Sequence, residues 1–268
     1  MMKARNNAWI LAALFTVGLI AQGCGGDNGA GPDVAMQEQV KENIAAKLAY
    51  LLSPGHGGVM QLWSLAEYET DDIRTNAHAS TGSRGPVRPT AGLACSQERI
   101  FYDRQGDTLG WFDPTRVAWI QQVTTLTGEL RDPALDLALE VLHEDTLLAY
   151  AINGSSATTA GTGAYHCSGT FRPTPDDQTV LFEADFAWDV YGLQYSTVMA
   201  DEFLPEEGRM KGRVSWREQL DNSEPFEKIL AYMVIFDGSA NARLIIDEDD
   251  VFVLDIERGT AHRDRPSP

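Results

Sequence analysis

The sequence predicts an α+β fold that is mainly antiparallel β, with N-terminal amphipathic helices followed by a curled meander of about nine or ten strands. Two observations favour this fold class. Apolar residues recur at helical spacing over residues 33–69, whereas over residues 99–258 they alternate with polar residues and no helical segment separates the alternating runs. Such alternation is typical of an antiparallel sheet with one packed face and one solvated face. A sheet of this size is expected to curl into a half-barrel or a barrel.

The chain opens with a short basic segment and an apolar run over residues 8–20. About thirteen apolar residues form a helix of roughly 20 Å, which is shorter than the roughly 30 Å hydrocarbon core of a bilayer. The run is therefore typical of a secretory signal rather than of a membrane span. Small residues then lead to a cysteine in the segment Ala21-Gln22-Gly23-Cys24, where we expect cleavage.

This segment resembles the lipobox of bacterial lipoprotein signals, with Gly23 and Cys24 at its most restricted positions. The resemblance implies a lipoprotein signal peptide over residues 1–23, a lipid on Cys24 and a membrane anchor through that lipid. The two residues after Cys24 are glycines and not the aspartate that marks inner-membrane retention. The resemblance thus favours the outer membrane, with the protein facing the periplasm or the cell surface. A cleaved signal with an incidental cysteine is one alternative, and an uncleaved anchor is another.

A tether, helices and a long loop are expected after the anchor. Residues 24–32 are rich in glycine and predict a lipidated, flexible tether. Residues 33–268 suffice for a single domain. It begins with helices over residues 33–69: one from Asp33, a plausible N-cap, to Leu52, and a shorter one over residues 59–66. Residues 70–98 are rich in Gly, Pro, Ser and Thr and predict a loop.

The antiparallel sheet is predicted over residues 99–258, and the polar tail over residues 259–268 is expected to fray. Asn153-Gly154 predicts a tight hairpin turn, and Asp237-Gly238 predicts another. The clearest amphipathic strand covers residues 182–190, where large apolar residues alternate with residues that are mostly acidic. The strand around residues 210–217 alternates apolar with mostly basic residues, so the two strands are expected to present opposite charges on one face.

The net charge of -18 excludes one class of partner. A strongly acidic surface repels nucleic acid and anionic lipid head groups. We therefore expect no nucleic-acid partner, and we expect the membrane contact to be the Cys24 lipid rather than a basic patch.

Two cysteines remain if Cys24 carries lipid. In an oxidising compartment Cys95 and Cys167 are expected to form a disulfide, which would close a loop of about 70 residues. Two free buried thiols are one alternative. A second is chemistry at Cys167 with His166, but adjacent residues of a strand point to opposite faces, so these two side chains cannot easily share a site.

Three carboxylates are weak candidates for a site. Glu183, Asp185 and Asp189 lie on one face of the predicted strand and could act on a glycoside or hold calcium. The structural alternative is a solvated charge ladder, because the next strand carries basic residues on its polar face. Cross-strand pairs of opposite charge contribute roughly 0.2 to 1 kcal/mol each to the stability of a sheet. These basic residues are Lys211, Arg213 and Arg217.

The remaining motifs predict no chemistry. The run Asp247-Glu248-Asp249-Asp250 lacks the spacing and glycine of a calcium loop and is interpreted as a solvated turn. The five histidines are scattered without helical metal-ligand spacing. No dinucleotide fingerprint in its required context, no phosphate loop and no nucleophile elbow is found. We therefore expect no cofactor, no bound metal and no catalytic constellation.

The leading hypothesis is a lipid-anchored cell-envelope protein whose sheet is a non-enzymatic binding or scaffolding domain for another envelope protein or a glycan. A carrier of a hydrophobic ligand in the concave face of the sheet is one alternative, by fold-level analogy with lipocalins. A glycan-acting hydrolase that uses the carboxylates is another. Bulky side chains packed against the helices would argue against the carrier; the test residues are Phe182, Phe186, Trp188, Val214 and Trp216.

Overall fold

A computed structural model of the chain describes residues 32–53, 93–111, 113, 115–132, 137–150, 156–171, 179–196, 204–220 and 224–264. These residues form one helix and eleven strands. In chain order the elements are α1 (Pro32–Leu52), β1 (Leu93–Tyr102), β2 (Thr108–Leu109), β3 (Trp119–Asp132), β4 (Leu137–Tyr150), β5 (Ser156–Phe171), β6 (Val180–Ser196), β7 (Glu207–Leu220), β8 (Phe226–Phe236), β9 (Asn241–Ile246), β10 (Asp250–Asp255) and β11 (Thr260–Arg263).

All eleven strands belong to one sheet, in the order β11-β10-β9-β8-β7-β6-β5-β4-β3-β1-β2. Every neighbouring pair is antiparallel. The predicted fold of mainly antiparallel β-structure is confirmed. The sheet is open rather than a closed barrel, because β11 and β2 stand at its two ends.

The structure corrects three predicted boundaries. β1 begins at Leu93, inside the predicted loop, because the whole of residues 93–102 pairs with β3. β11 lies inside the predicted frayed tail, where it pairs with β10 after a turn at Gly259, whose φ is +65°. The alternating runs over residues 134–142 and 145–152 predict two separate strands, but β4 is one continuous strand over Leu137–Tyr150. The signal peptide, the tether, the second helix and most of the predicted loop lie outside the described residues.

Alternation places each strand's apolar residues on one face, here called the inner face. In β6 the side chains of Phe182, Phe186 and Trp188 are buried, whereas those of Asp185 and Asp189, at odd-numbered positions, are exposed. The opposite side is called the outer face. Its residues on β4 to β8 are mostly polar or charged, with a few large apolar side chains among them.

A bulge in β6 preserves this division of faces. Gly192 has φ +59°, and the register shifts there against both β5 and β7. The extra residue lets Val190 on one side of the bulge and Leu193 on the other both point inward and remain buried. Glycine suits the position because it adopts positive φ without a Cβ clash.

Helix α1 covers the inner face. Val40, Ile44 and Leu48 recur at helical spacing, and all are buried in one cluster with inner-face residues from β4 to β10. Lys41 bonds Asp250 of β10, and the Lys47 Nζ atom lies 5.4 Å from the ring centre of Tyr165 of β5. In a flat sheet β5 and β10 would lie about 24 Å apart. Because two lysines of the same short stretch of α1 reach both strands, the sheet curves around the helix.

The concave side of the sheet is a packed core over the described residues. The five bulky residues that test the carrier hypothesis are all buried in the same cluster as α1: Phe182, Phe186, Trp188, Val214 and Trp216. Phe182 and Trp216 pack edge to face with ring centres 4.6 Å apart, a favoured aromatic geometry. Among the described residues, no helix is long and apolar enough to cross a membrane.

The structure does not form the predicted disulfide. Cys167 is a free thiol, buried on the inner face of β5. Cys95 lies on β1, and β3 and β4 separate that strand from β5. Three strand spacings amount to about 14 Å, whereas the Cα atoms of a disulfide lie within about 7 Å. The sequence could not show this, because it does not state the strand order.

Candidate functional site

The candidate site lies on the outer face, where β5 and β6 bring polar side chains together. His166 of β5 is directly opposite Asp185 of β6 in the register. The His166 Nδ1 atom is 2.6 Å from Asp185 Oδ1, and its Nε2 atom is 3.1 Å from Ser168 Oγ. Ser168 is two residues after His166, so both point to the same face. We call His166, Ser168, Asp185 and the adjacent Glu183 the histidine cluster.

The position of this cluster follows from strand alternation. Cys167, between His166 and Ser168, points inward and is fully buried, whereas the His166 side chain is one-third exposed. The prediction that His166 and Cys167 lie on opposite faces is therefore confirmed. Burial raises the pKa of the Cys167 thiol, which keeps it protonated and unreactive.

The predicted charge ladder is present only in part. Glu183 is opposite Arg217, and their charged atoms are 3.8 Å apart; Asp189 is opposite Lys211. Asp185, however, is opposite Ser215, and its carboxylate accepts a hydrogen bond from His166 on the other neighbouring strand. Arg213 is opposite Ala187, so it faces no acidic residue across the β6–β7 pair. The charge pattern of β6 and β7 predicted contacts between these two strands alone, so the contact of Asp185 with His166 of β5 was not anticipated.

The cluster could act in two ways. One ligand atom each from His166, Glu183 and Asp185 lies within 4.8 Å of the others, a nitrogen and oxygen set that suits a transition metal. A metal would have to displace the hydrogen bond between His166 and Asp185 and compete with Arg217 for Glu183. The alternative is proton transfer, since an imidazole held between a carboxylate and a hydroxyl has the geometry of a general base.

A groove adjoins the cluster on the outer face. Its volume is about 320 Å³, near the lower end for small-molecule sites. Ser168 and Glu183 of the cluster line it, together with neighbouring residues of β5, β6 and β7: Gly169, Thr170, Leu181, Phe182, Arg217 and Gln219.

A second feature of the outer face is an aromatic patch, formed by Tyr102, Trp119, Leu148, Tyr150 and Tyr191. Tyr102 and Trp119 are paired across β1 and β3 and stack with ring centres 5.8 Å apart. Tyr150 of β4 lies next to Trp119 on the other side of β3 from Tyr102. This follows from the register, because the neighbouring residues Ile120 and Ala149 are paired. Leu148 of β4 and Tyr191 of β6 lie on either side of Ala160 of β5, in the next outward-facing set of residues along the strands.

Polar groups border the aromatic patch. The Tyr102 hydroxyl donates to Gln121 Oε1 at 2.9 Å, and Gln194 bonds Glu207. Arg209 lies over the ring of Tyr191, 6.0 Å from its centre. Tyr150 and Tyr191 are 39% and 46% exposed, so the patch offers aromatic surface with hydrogen-bonding groups at its edge.

The inner face carries a second histidine–aspartate pair. The His143 Nε2 atom is 3.0 Å from Asp145 Oδ2, its Nδ1 atom is 3.1 Å from the Ala164 carbonyl oxygen, and both side chains are fully buried. The ring of Trp188 stacks on His143. Burial, and to a smaller degree the charge of Asp145, raise the pKa of Tyr195. Lack of solvent access makes this pair part of the core.

Of the other predicted sites, the acidic run near the C-terminus has structural contacts and the lipid site is outside the described residues. In the run Asp247-Glu248-Asp249-Asp250, the first three residues form the turn between β9 and β10, and Asp250 is the first residue of β10. Asp250 bonds Lys41 of α1, and an Asp247 carboxylate oxygen accepts the Ala231 amide proton at 3.1 Å. The turn thus has structural contacts. Cys24, the predicted lipid site, lies outside the described residues.

Comparison with protein families, with curated proteins and with solved structures found no match to this chain.

Proposed function

We propose that the protein is a lipid-anchored envelope protein that binds a neutral glycan through the aromatic patch of its outer face. The observation that carries the proposal is the exposure of Tyr150 and Tyr191 in one patch with Tyr102 and Trp119. Exposed apolar surface rimmed by polar groups is typical of a binding surface. We further propose that the curved sheet is a half-barrel, which turns this patch towards solvent.

The chemistry of the patch favours a sugar. A pyranose ring has an apolar face of C–H groups and a rim of hydroxyls, so it matches a flat aromatic surface bordered by hydrogen-bonding side chains. Such partners border the patch at Gln121, Gln194 and Glu207. The net charge of -18 disfavours an acidic polysaccharide, so the proposed ligand is neutral.

The packing of the core argues against the carrier of a hydrophobic ligand. Over the described residues, the concave side is occupied by α1 and by the large aromatic residues of β6 and β7. The contacts of the acidic residues also argue against a glycan hydrolase that works with two carboxylates. Glu183 faces Arg217, Asp185 binds His166, and Asp189 is opposite Lys211.

The anchor is tested by mass spectrometry of the exported protein. We expect an amino terminus at Cys24 that carries acyl chains, and a protein that accumulates uncleaved and without lipid when Cys24→Ser is introduced. An unmodified amino terminus at Cys24 in the wild type would contradict the proposed lipid anchor. It would not affect the proposal that the protein binds a glycan.

The glycan proposal is tested by titrating the protein with an oligosaccharide of N-acetylglucosamine and following tryptophan fluorescence and heat. Loss of one stacked aromatic ring is worth about 1 kcal/mol or more. Tyr150→Ala should therefore weaken binding about five- to tenfold. Ile229→Ala is the matched control, because Ile229 is the most exposed large apolar residue described on the outer face and lies on β8, away from the patch. An equal loss of affinity in both variants, or no heat of binding at millimolar concentrations of the sugar, would refute the proposal.

A further inference from the structure

His166, Ser168 and Asp185 have the geometry of a nucleophilic triad. The hydroxyl is on the Nε2 side of the imidazole and the carboxylate is on the Nδ1 side, at 3.1 Å and 2.6 Å. Both distances lie in the range expected for a nucleophile with its base and for a base with the group that orients it. Such triads are recognised by geometry and roles rather than by fold or order in the chain.

We propose that Ser168 is the nucleophile of an ester-hydrolysing site, with His166 as general base and Asp185 as the positioning residue. The inference goes beyond the proposed glycan binding and depends neither on the anchor nor on the aromatic patch.

Rigid elements hold the three side chains. β5 is paired on both sides, with β4 and with β6, and the His166–Asp185 pair lies within an unbroken stretch of the β5–β6 register. Cys167 fixes the strand from the other face, since it is fully buried between the two catalytic positions. A site built on paired strands keeps its geometry better than one built on loops.

The reaction balances with water as the only co-reactant. The Ser168 oxygen attacks the carbonyl carbon of an ester while its proton passes to His166 Nε2. The resulting tetrahedral intermediate expels the alcohol, which takes that proton. Water then attacks the acyl-serine, gives a proton to the same nitrogen, and releases the carboxylic acid as the proton returns to Ser168. Asp185 accepts a hydrogen bond from the Nδ1–H group of His166 throughout the reaction and stabilises the imidazolium that forms in each half-reaction.

The adjoining groove sets the class of substrate. Ser168 is one of its lining residues, so an ester lying in the groove reaches the nucleophile. Leu181 and Gly169 supply apolar surface for a short acyl chain, and Arg217 and Gln219 carry N–H groups of the kind that stabilise an oxyanion. The volume of about 320 Å³ fits a small carboxylic ester.

The test uses the full chain with a fluorophosphonate probe and with p-nitrophenyl butyrate. We expect the probe to label Ser168, as located by peptide mass spectrometry, and ester hydrolysis to fall at least a hundredfold in Ser168→Ala and in His166→Gln. Asp185→Asn should lower kcat at least tenfold and leave KM unchanged, because the carboxylate orients the imidazole without touching the substrate.

Matched controls lie on the same two strands and the same face. Thr162 and Asp189 are opposite each other in the β5–β6 register, as His166 and Asp185 are. Asp189 therefore faces a threonine across the two strands, where Asp185 faces a histidine. Thr162→Ala and Asp189→Asn should therefore keep full activity. Failure of the probe to label Ser168, or equal activity in Ser168→Ala and the wild type, would overturn the proposal. So would hydrolysis that is lost with a chelator and insensitive to Ser168→Ala, since this would assign the cluster to a metal.

Discussion

Among the residues that the structure describes, two histidine–aspartate pairs lie on opposite faces of one sheet. His143 and Asp145 lie two residues apart on β4 and face inward, where both side chains are fully buried. His166 and Asp185 pair across β5 and β6 and face outward, with side chains that are 33% and 54% exposed. The chemical groups are the same, but the surroundings assign one pair to the core and leave the other accessible to a substrate.

The difference shows how burial decides what a polar pair does. Around the inner pair the hydrogen bonds must be satisfied by protein groups, and His143 accordingly contacts a backbone carbonyl oxygen as well as Asp145. Around the outer pair water can replace any partner, so the pair adds little to stability. Removal of a residue should therefore affect folding on the inner face and chemistry on the outer face.

The largest effect is expected for Asp145→Ala, compared with Asp185→Ala as its outer counterpart. Loss of Asp145 leaves a buried imidazole nitrogen without its carboxylate and should lower the free energy of unfolding by about 3 kcal/mol. The outer change should cost less than about 1 kcal/mol. Urea unfolding of the two variants measures both values. Similar losses in the two would contradict the comparison.

A smaller effect is expected for Gly163→Ala, which alters the packing beside the inner pair. A Cβ at Gly163 would lie 2.6 Å from the indole of Trp188, the ring that stacks on His143. Such overpacking should cost about 2 kcal/mol, as measured by urea unfolding. Gly110→Ala is the control, because a Cβ there meets nothing within 4 Å. If Gly163→Ala is as stable as this control, the indole is not held in place.

Cys167→Ala tests the free thiol that is buried on the inner face of β5. Removal of a small buried group should cost about 1 kcal/mol, measured by unfolding without reductant. A disulfide closing a loop of about 70 residues would instead contribute on the order of 4 kcal/mol. A loss of that size, shared by Cys95→Ala, would restore the disulfide and contradict the observed strand order.

The smallest effect is expected for Asp185→Asn on stability. Because both partners are partly exposed, the loss should remain under about 1 kcal/mol and shrink further in high salt. Asp189→Asn should behave alike. Thermal melts at low and high salt provide the measurement, and a salt-independent loss above about 2 kcal/mol would place His166 and Asp185 in the core after all.

The sequence anticipated the sheet better than its edges. Alternation over β6 and β7 identified the buried residues, because a half-buried strand must send successive side chains to opposite faces. The edge strands were missed for a physical reason. β11 is only four residues long and lacks strong alternation, so its pairing depends on β10 beside it rather than on its own composition. The lipoprotein signal stays a prediction that rests on residues 1–24.

The histidine cluster shows what only the tertiary structure decided. His166 and Ser168 could be placed on one strand face from their spacing alone, and Asp185 on a neighbouring face from the alternation of β6. Which residues meet across the strands depends on register, and one step of register would send Asp185 to the other side of the sheet. The register of β5 against β6 depends on the inner packing of Tyr165, Phe186 and the residues around them. The sequence by itself therefore determined the faces, and the packed core determined the partners.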